Sequence, residues 1–572
     1  MALIATPCST HTADDMITTK ARALPVIEVK GIPAGNPDFE ELRWAMLNLF
    51  DSKVPEELRV PQHYIECPPR DVTQIPRSCG ILTPEQIEIT ENYDAFGLAA
   101  AIADRKYTAV EVVEAFSRRA IICHQITCCL TQWFPGDAVK QAQALDEHLA
   151  RTGTTVGPLH GVPISLKEHI PVKGQNTCFG FLKGNVTSTE DSDMAALLRN
   201  AGAVFYVKTM QPQGLLHLES DNPLGRVLNP FNIQLTAGGS SGGEAALLAL
   251  RGSILGVGTD LGGSIRVPAA FCGLYGYKPT VYTLPITGLL PGVFPPSLNL
   301  IPTVGPMCHS MRDMNLFMHS VLEQKPYLVD PLLVPLPWTG LQTPIPEKRL
   351  KIGILEMDGL IRPMPPITRA ISWTRSQLSS CADVEVKTFA PYPAEGFALI
   401  RKLIMPDGGT GFRAALAASG EPEHYLSTAV INNATDSSTL GQLAQLRCDR
   451  DAYRRQMAAH WTSQDVDVVL MPTFVGPAAA HDTAIYKSYT SIWSLVDYPC
   501  IAIPTPLTAK AKGAERYADE NVLGPEDEFV RRAYEDTSFE GAPLGLQLVA
   551  RKHHDNLLFG ALELLKKPLK LK

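Results

Sequence analysis

GVPISLKE at residues 161–168 and AVFYVK at 203–208 are the stretches that decide the fold class. Each holds a short apolar run, 162–166 in the first and 203–208 in the second, rich in β-branched and aromatic residues. Runs of that length and character read as strands buried on both faces. Between them, MAALLRN at 194–200 has the apolar spacing of a helix. Strands alternating with helices and glycine-rich turns across 157–280 predict an α/β sheet covered by helices on both faces.

Outward from this centre the pattern thins. Downstream, 310–465 is mostly helical in pattern with one strand predicted at 351–355; further strands are predicted at 466–471, stopping at Pro472, and at 544–549 before a terminal amphipathic helix. Upstream, Thr83 and Pro84 mark a helix start, and Thr108 with Glu111 has the spacing of a capping box ahead of an apolar stripe of Val112, Val113, Phe116 and Ala120. Residues 1–82 are proline-rich and read as an arm with one or two helices, such as 39–50, laid over a body spanning 83–572.

The 572 residues are 45% hydrophobic and 19% charged, enough to bury a large core. A net charge of −8 with no block of one sign offers no surface for nucleic acid or an anionic membrane. The 12 cysteines are scattered, and Cys123, Cys128 and Cys129 lack the spacing and histidine partners of a zinc site, so the thiols read as reduced and no metal is expected. The N-terminus lacks the pattern of a secretory signal, and no run approaches 18 apolar residues, so a soluble cytoplasmic protein without a transmembrane segment is expected.

Two glycine-rich, serine-bearing segments then stand out and read as loops: GGSSGG at 238–243 and GVGTDLGGS at 256–264. Glycine is selected where the backbone must take a positive φ or approach a ligand closely. Together they suggest backbone amides facing a substrate. A phosphate loop is excluded, because Gly256, Gly258 and Gly262 have the wrong spacing and no Lys follows. G-x-S-x-G is met twice within GGSSGG, yet that nucleophile elbow also needs an acid and a histidine downstream, and no histidine there has a distinguishing context.

A third chemistry uses lysine as base. Lys167 lies just past the predicted apolar strand, where a charged amine is costly to bury. Bringing a lysine from about 10.4 into the range of 7 to 8 takes roughly 4 kcal/mol of differential destabilisation, which burial can supply. Taken singly, Lys167 also reads as a solvated strand end, and Ser240, Ser241 and Ser264 as helix caps.

In combination, GVPISLKE, GGSSGGEAAL at 238–247 and GTDLGGSIRVPAAFCGLYGYKPT at 258–280 resemble the amidase signature family, and looser likeness extends over nearly all of the chain after residue 83. The resemblance implies one large domain with a twisted mixed sheet and no cofactor. By it, Ser264 is the acyl-enzyme nucleophile, Ser240 the bridging serine and Lys167 the base. The amides of Leu261, Gly262, Gly263 and Ser264 form the oxyanion hole, and Leu215 faces the substrate. Asp260, Arg266 and Ser241 support the loop, and the Gly239–Ser240 peptide bond is cis. The expected activity is hydrolysis of a small-molecule amide, nearest in character to fungal acetamidases and general amidases. The resemblance allows a homodimer, and the alternative is an amidotransferase subunit passing ammonia to a partner-bound acceptor. Segments 210–217 and 286–302 are the candidate specificity loops.

Overall fold

A computed structural model describes residues 22–290, 299–345, 349–432, 438–519 and 521–572. Its centre is an eleven-stranded mixed sheet. In chain order the strands are β1 (Leu130–Trp133), β2 (Pro163–Lys167), β3 (Val204–Thr209), β4 (Leu255–Asp260), β5 (Tyr275–Lys278) and β6 (Thr303–Cys308). They continue as β7 (Leu350–Ile354), β8 (Val384–Thr388), β9 (Val468–Pro472), β10 (Cys500–Thr508) and β11 (Pro543–Ala550). The order across the sheet is β1-β3-β2-β4-β6-β5-β10-β11-β9-β7-β8. β3, β2 and β4 run parallel to one another, as do β9, β7 and β8, while the intervening pairs are antiparallel.

Every residue of β2, β3, β4, β6, β9 and β11 is buried, which is why their sequences are near-continuous apolar runs. Helices pack on the sheet, among them Ala109–Thr127, whose capping box joins Thr108 and Glu111, and Asp555–Leu565 near the C-terminus. The strands predicted around 162–166, 203–208, 351–355, 466–471 and 544–549 are all present with ends shifted by one or two residues. One shift matters chemically, since Lys167 is the last residue of β2 and not the first beyond it.

Two differences from the sequence reading have physical causes. The region 310–465 holds a second strand, β8, whose VEVKT alternates charged and apolar residues because it is the half-exposed outer strand of the sheet. And the first half of GVGTDLGGS is not loop but the central strand β4. Its glycines serve packing: a Cβ on Gly256 would lie 2.1 Å from Glu244 Oε2, and one on Gly258 2.8 Å from Ser241 Oγ. They let the serine-bearing turn and the helix Gly242–Ala249 lie directly on the sheet.

Residues 22–82 are tied into this body. Gln125 accepts from the Val60 amide at 2.8 Å and donates to Leu58 O at 2.8 Å, while Val72 N donates to Pro230 O at 2.9 Å. Leu24, Ile27, Val54, Leu58 and Val72 belong to the main hydrophobic core. The expected helix at 39–50 is Pro37–Asp51, capped by Asn36.

Close approach is demanding at Gly243, where a Cβ would fall 2.5 Å from Met210 N and 2.7 Å from Cys129 O, both backbone atoms that cannot swing away. Gly243→Ala should therefore lower the unfolding free energy by about 1–3 kcal/mol in a urea titration. A stability equal to that of the parent chain would show that the turn is not wedged against β3.

Candidate active site

β2, β3 and β4 are parallel neighbours, so their C-terminal ends open on one side of the sheet. Lys167 ends β2, Thr209 ends β3 and Asp260 ends β4. Such strand ends are where open α/β sheets place ligands. The glycine-serine turn 238–241 and the loop 261–265 lie over this edge, the second following directly from β4.

The Lys167 side chain is fully buried, with Nζ hydrogen-bonded to Ser240 Oγ at 2.6 Å and to Thr259 Oγ1 at 3.2 Å. Burial pulls the amine down to about 7, against the opposing pull of the Asp260 and Glu244 charges. Neither carboxylate is hydrogen-bonded to the amine. Glu244 accepts from Ser165 Oγ at 2.5 Å and Thr209 Oγ1 at 2.8 Å, and burial lifts it to about 7. Asp260 is committed to Arg266, receiving Nε at 2.9 Å and Nη2 at 3.0 Å. Burial alone would raise Asp260, but the charge and hydrogen bonds of Arg266, with Lys278 and the Gly263 amide, outweigh it and hold the carboxyl at about 2.

The peptide bond Gly239–Ser240 is cis. Ser240 and Ser241 are buried, whereas Ser264 is half-buried. Among the described residues no hydrogen bond joins the Ser240 and Ser264 hydroxyls. The two loops meet through the backbone, the Ser241 amide donating to Ser264 O at 3.1 Å. Ser264 caps no helix, since the helix Arg266–Phe271 begins after Ile265.

The loop 261–265 is held from two sides. Asp260 accepts from the amides of Gly263 at 2.8 Å and Ile265 at 3.2 Å, and Thr490 Oγ1 donates to Gly262 O at 2.7 Å. Arg266 reaches on to Thr490 O at 2.9 Å and Gln547 Oε1 at 3.2 Å. Gly263 takes φ +130°, and a Cβ there would strike Thr490 Oγ1 at 2.3 Å; at Gly262 a Cβ would meet open space. The four amides of the expected oxyanion hole thus divide. That of Gly263 is taken by Asp260, while those of Leu261, Gly262 and Ser264 have no partner among the described hydrogen bonds.

Leu215 is half-buried with φ 59°, at the end of the turn Gln213–Leu215. Two residues on, His217 lines a cavity of about 280 Å³ walled by Phe397, Ile400, Met405, Val430 and Phe529. Lys487 and Ser491 line it too, and they flank Thr490, the residue that holds Gly262. Residues 286–290 and 299–302 pack Ile286, Leu289 and Leu300 on the main core; the rest of that candidate loop, 291–298, lies outside the described residues.

Several participants have no sequence signal of their own. Thr259 and Glu244 stand inside the quoted stretches, but His169, Gln211, Lys487 and Thr490 reach the site only through the fold. The cluster Asp221, His424 and Asp482 brings three ligand-type atoms within 4.8 Å of one another. Arg226 already supplies its cation, Nη1 lying 2.9 Å from Asp221 and Nη2 3.0 Å from Asp482. His424 Nδ1 accepts from the Leu426 amide at 3.2 Å, so the neutral ring bears its proton on Nε2, the atom that faces Asp221. These residues read as an ion-pair cluster.

The sequence profile of the family described as Amidase matches residues 111–559. The chain belongs to the amidase family. It is 35% identical to the acetamidase of Aspergillus oryzae over 517 residues, 88% of this chain and 94% of that one. It is also 35% identical to the acetamidase of Emericella nidulans over 497 residues, 84% and 90% of the two chains. A solved structure described as fatty acid amide hydrolase superposes with a TM-score of 0.85 at 32% identity, covering 94% of this chain and 95% of that chain. The protein is accordingly a hydrolase of amide C–N bonds. No helix among the described residues of this amidase is long and apolar enough to cross a membrane.

Removing the Arg266 guanidinium would strand a fully buried carboxylate, a change that typically costs 3–5 kcal/mol. Arg266→Met should therefore depress the melting temperature and the soluble yield far more than Asp260→Asn/Arg266→Met together. Equal losses from the single and double variants would show that the pair is not the restraint on the loop.

Proposed function

We propose that this amidase cleaves carboxylic acid amides through an acyl-enzyme on Ser264, with Ser240 as the proton bridge and Lys167 as the base. The observation that carries this reading is the 2.6 Å contact between Ser240 Oγ and a buried amine held at about 7 without a carboxylate partner. A group poised near 7 is populated as a base at neutral pH and is returned as an acid once protonated.

In the first step neutral Lys167 takes the Ser240 proton while Ser240 takes that of Ser264, whose hydroxyl turns about χ1 to reach it. The Ser264 Oγ–C bond forms as the carbonyl π pair moves onto oxygen. The unpartnered amides of Leu261, Gly262 and Ser264 receive that oxyanion, and the Asp260 bond to the Gly263 amide keeps the loop in place without itself serving the oxyanion. Collapse breaks the C–N bond, and the proton on Lys167 returns through Ser240 to the departing nitrogen. An amine leaves only when protonated, so this return is as necessary as the attack. Water then repeats the sequence on the ester, releasing the acid and restoring Ser264.

The apolar cavity beside Thr490 is larger than an acetyl group needs, and the structurally similar fatty acid amide hydrolase is named for a long acyl amide. Both favour an amide with a medium or long apolar acyl group bound past Leu215 and His217. Of the arm 1–82, the described residues 22–82 are read as a covering of the catalytic body, and the site as needing no cofactor. Transfer of ammonia to a partner-bound acceptor gains no support from relatives named acetamidase.

Ser264→Ala and Lys167→Ala should each reduce turnover of a simple amide by at least about a thousandfold, and Ser264→Ala should abolish labelling by a fluorophosphonate; retained labelling would move the nucleophile elsewhere. The base works when neutral, so kcat/KM should rise about tenfold per pH unit below about 7 and level off above about 8. A flat profile from pH 5.5 to 9 would remove Lys167 from the role. Across linear amides, hexanamide should exceed acetamide in kcat/KM by roughly tenfold or more, from about 0.8 kcal/mol per buried methylene. A preference for acetamide would show that the cavity does not hold the acyl group.

A further inference from the structure

We infer that His169, by fixing the hydroxyl of Thr259, dictates which way the hydrogen bonds of Lys167 point and so acts as a positioning residue for the proton relay. The inference rests on Lys167 being the base.

The direction of each bond follows from one fixed end. The carbonyl of Cys178 can only accept, so Gln211 Nε2, 3.0 Å away, donates to it. That sets the amide and presents Gln211 Oε1 to His169 Nδ1 at 2.8 Å, which requires a proton on Nδ1. The ring is buried, and burial together with the neighbouring Lys167 keeps it well below the usual histidine range. His169 is therefore neutral, with Nε2 a bare acceptor. Thr259 Oγ1 lies 3.3 Å from that nitrogen and has a single proton to give it.

With its proton spent on His169, Thr259 can only accept from Lys167 Nζ, 3.2 Å away. The neutral amine then commits an N–H to Thr259, and its lone pair is left for the Ser240 proton across the 2.6 Å contact. Without an acceptor at position 169 the Thr259 hydroxyl is free to turn and donate into that lone pair. Threonine and serine would then compete for the one site on the base. Every member of the chain is buried: His169 and Thr259 are 2% and 4% exposed, and Gln211 and Lys167 fully enclosed. Water is thus not at hand to reset the directions.

His169→Phe removes the acceptor and keeps a flat ring able to pack edge-to-face against Phe179, as His169 does at 5.9 Å between centroids. It should lower kcat about tenfold or more with KM within twofold. His169→Gln, which offers an oxygen as acceptor, should stay within about threefold of the parent kcat. In a Thr259→Val background, where no hydroxyl remains to turn, His169→Phe should cost less than twofold further. Additive losses in that double-variant cycle, or a parent-like kcat in His169→Phe, would overturn the inference. If a variant fails to fold, the parent chain with 15N-labelled histidine decides. A neutral ring with its proton on Nδ1 from pH 6 to 9 supports the assignment, and a proton on Nε2 overturns it. Ser264→Ala, assayed in parallel, separates the two readings, because activity there would displace the nucleophile whatever His169 does.

Discussion

A primary amine enclosed at the end of a strand with no carboxylate bonded to it is the constraint around which this molecule is organised. In that state burial draws the amine towards its neutral form, and the unbonded Asp260 and Glu244 charges only partly oppose it. The surroundings preserve that imbalance by engaging the available acids elsewhere. Asp260 is bound by Arg266, and Glu244 is hydrogen-bonded by two hydroxyls and lifted to about 7. The same Arg266–Asp260 pair that keeps this carboxylate from bonding the lysine also pins the loop bearing Ser264. One ion pair thus bears both on the surroundings of Lys167 and on the placement of Ser264.

That arrangement explains the glycines better than conformational freedom does. Gly256 and Gly258 lie within a strand, where glycine is ordinarily a loss, and there they admit Glu244 and Ser241 to within contact of the sheet. Gly262 is different, for a Cβ there would meet open space. Only Gly263, at φ +130°, meets the usual conformational requirement among these four. One short stretch therefore contains two separate reasons for the same residue type.

These distinctions set what was legible in the sequence. Buried strands such as β2 and β3 announce themselves as apolar runs, and Lys167, Ser240 and Ser264 stand out because each sits in an unusual local pattern. β4 was misread as loop, because periodicity cannot tell a glycine that frees the backbone from one that makes room for a neighbour. β8 was missed since an outer strand with Glu385 and Lys387 lacks the contrast of a core strand. His169, Gln211 and Thr490 carry no local signature at all. Their roles rest on partners distant in the chain, as with His169 and Gln211 at a separation of 42 and Gln211 and Cys178 at 33. The commitment of the Gly263 amide to Asp260 was equally out of reach, being a matter of which way one N–H points.

The chain positions of the parts have a further implication. The hydrogen-bond partners described for Lys167, Ser240 and Ser264 all come from residues 163–266. The cavity beside them is built from residues 361–430 and 484–530 together with His217, and hydrogen bonds that include Thr490 to Gly262 and Lys487 to Leu216 join it to the first group. Substitutions among the cavity walls away from Thr490 can reshape the hollow while leaving the bonds of Lys167 and of the 261–265 loop in place. Such a division makes the strand-end cluster heritable as a block while the walls of the hollow drift, so that duplicated copies of one gene can diverge in the hollow before any of them loses the cluster.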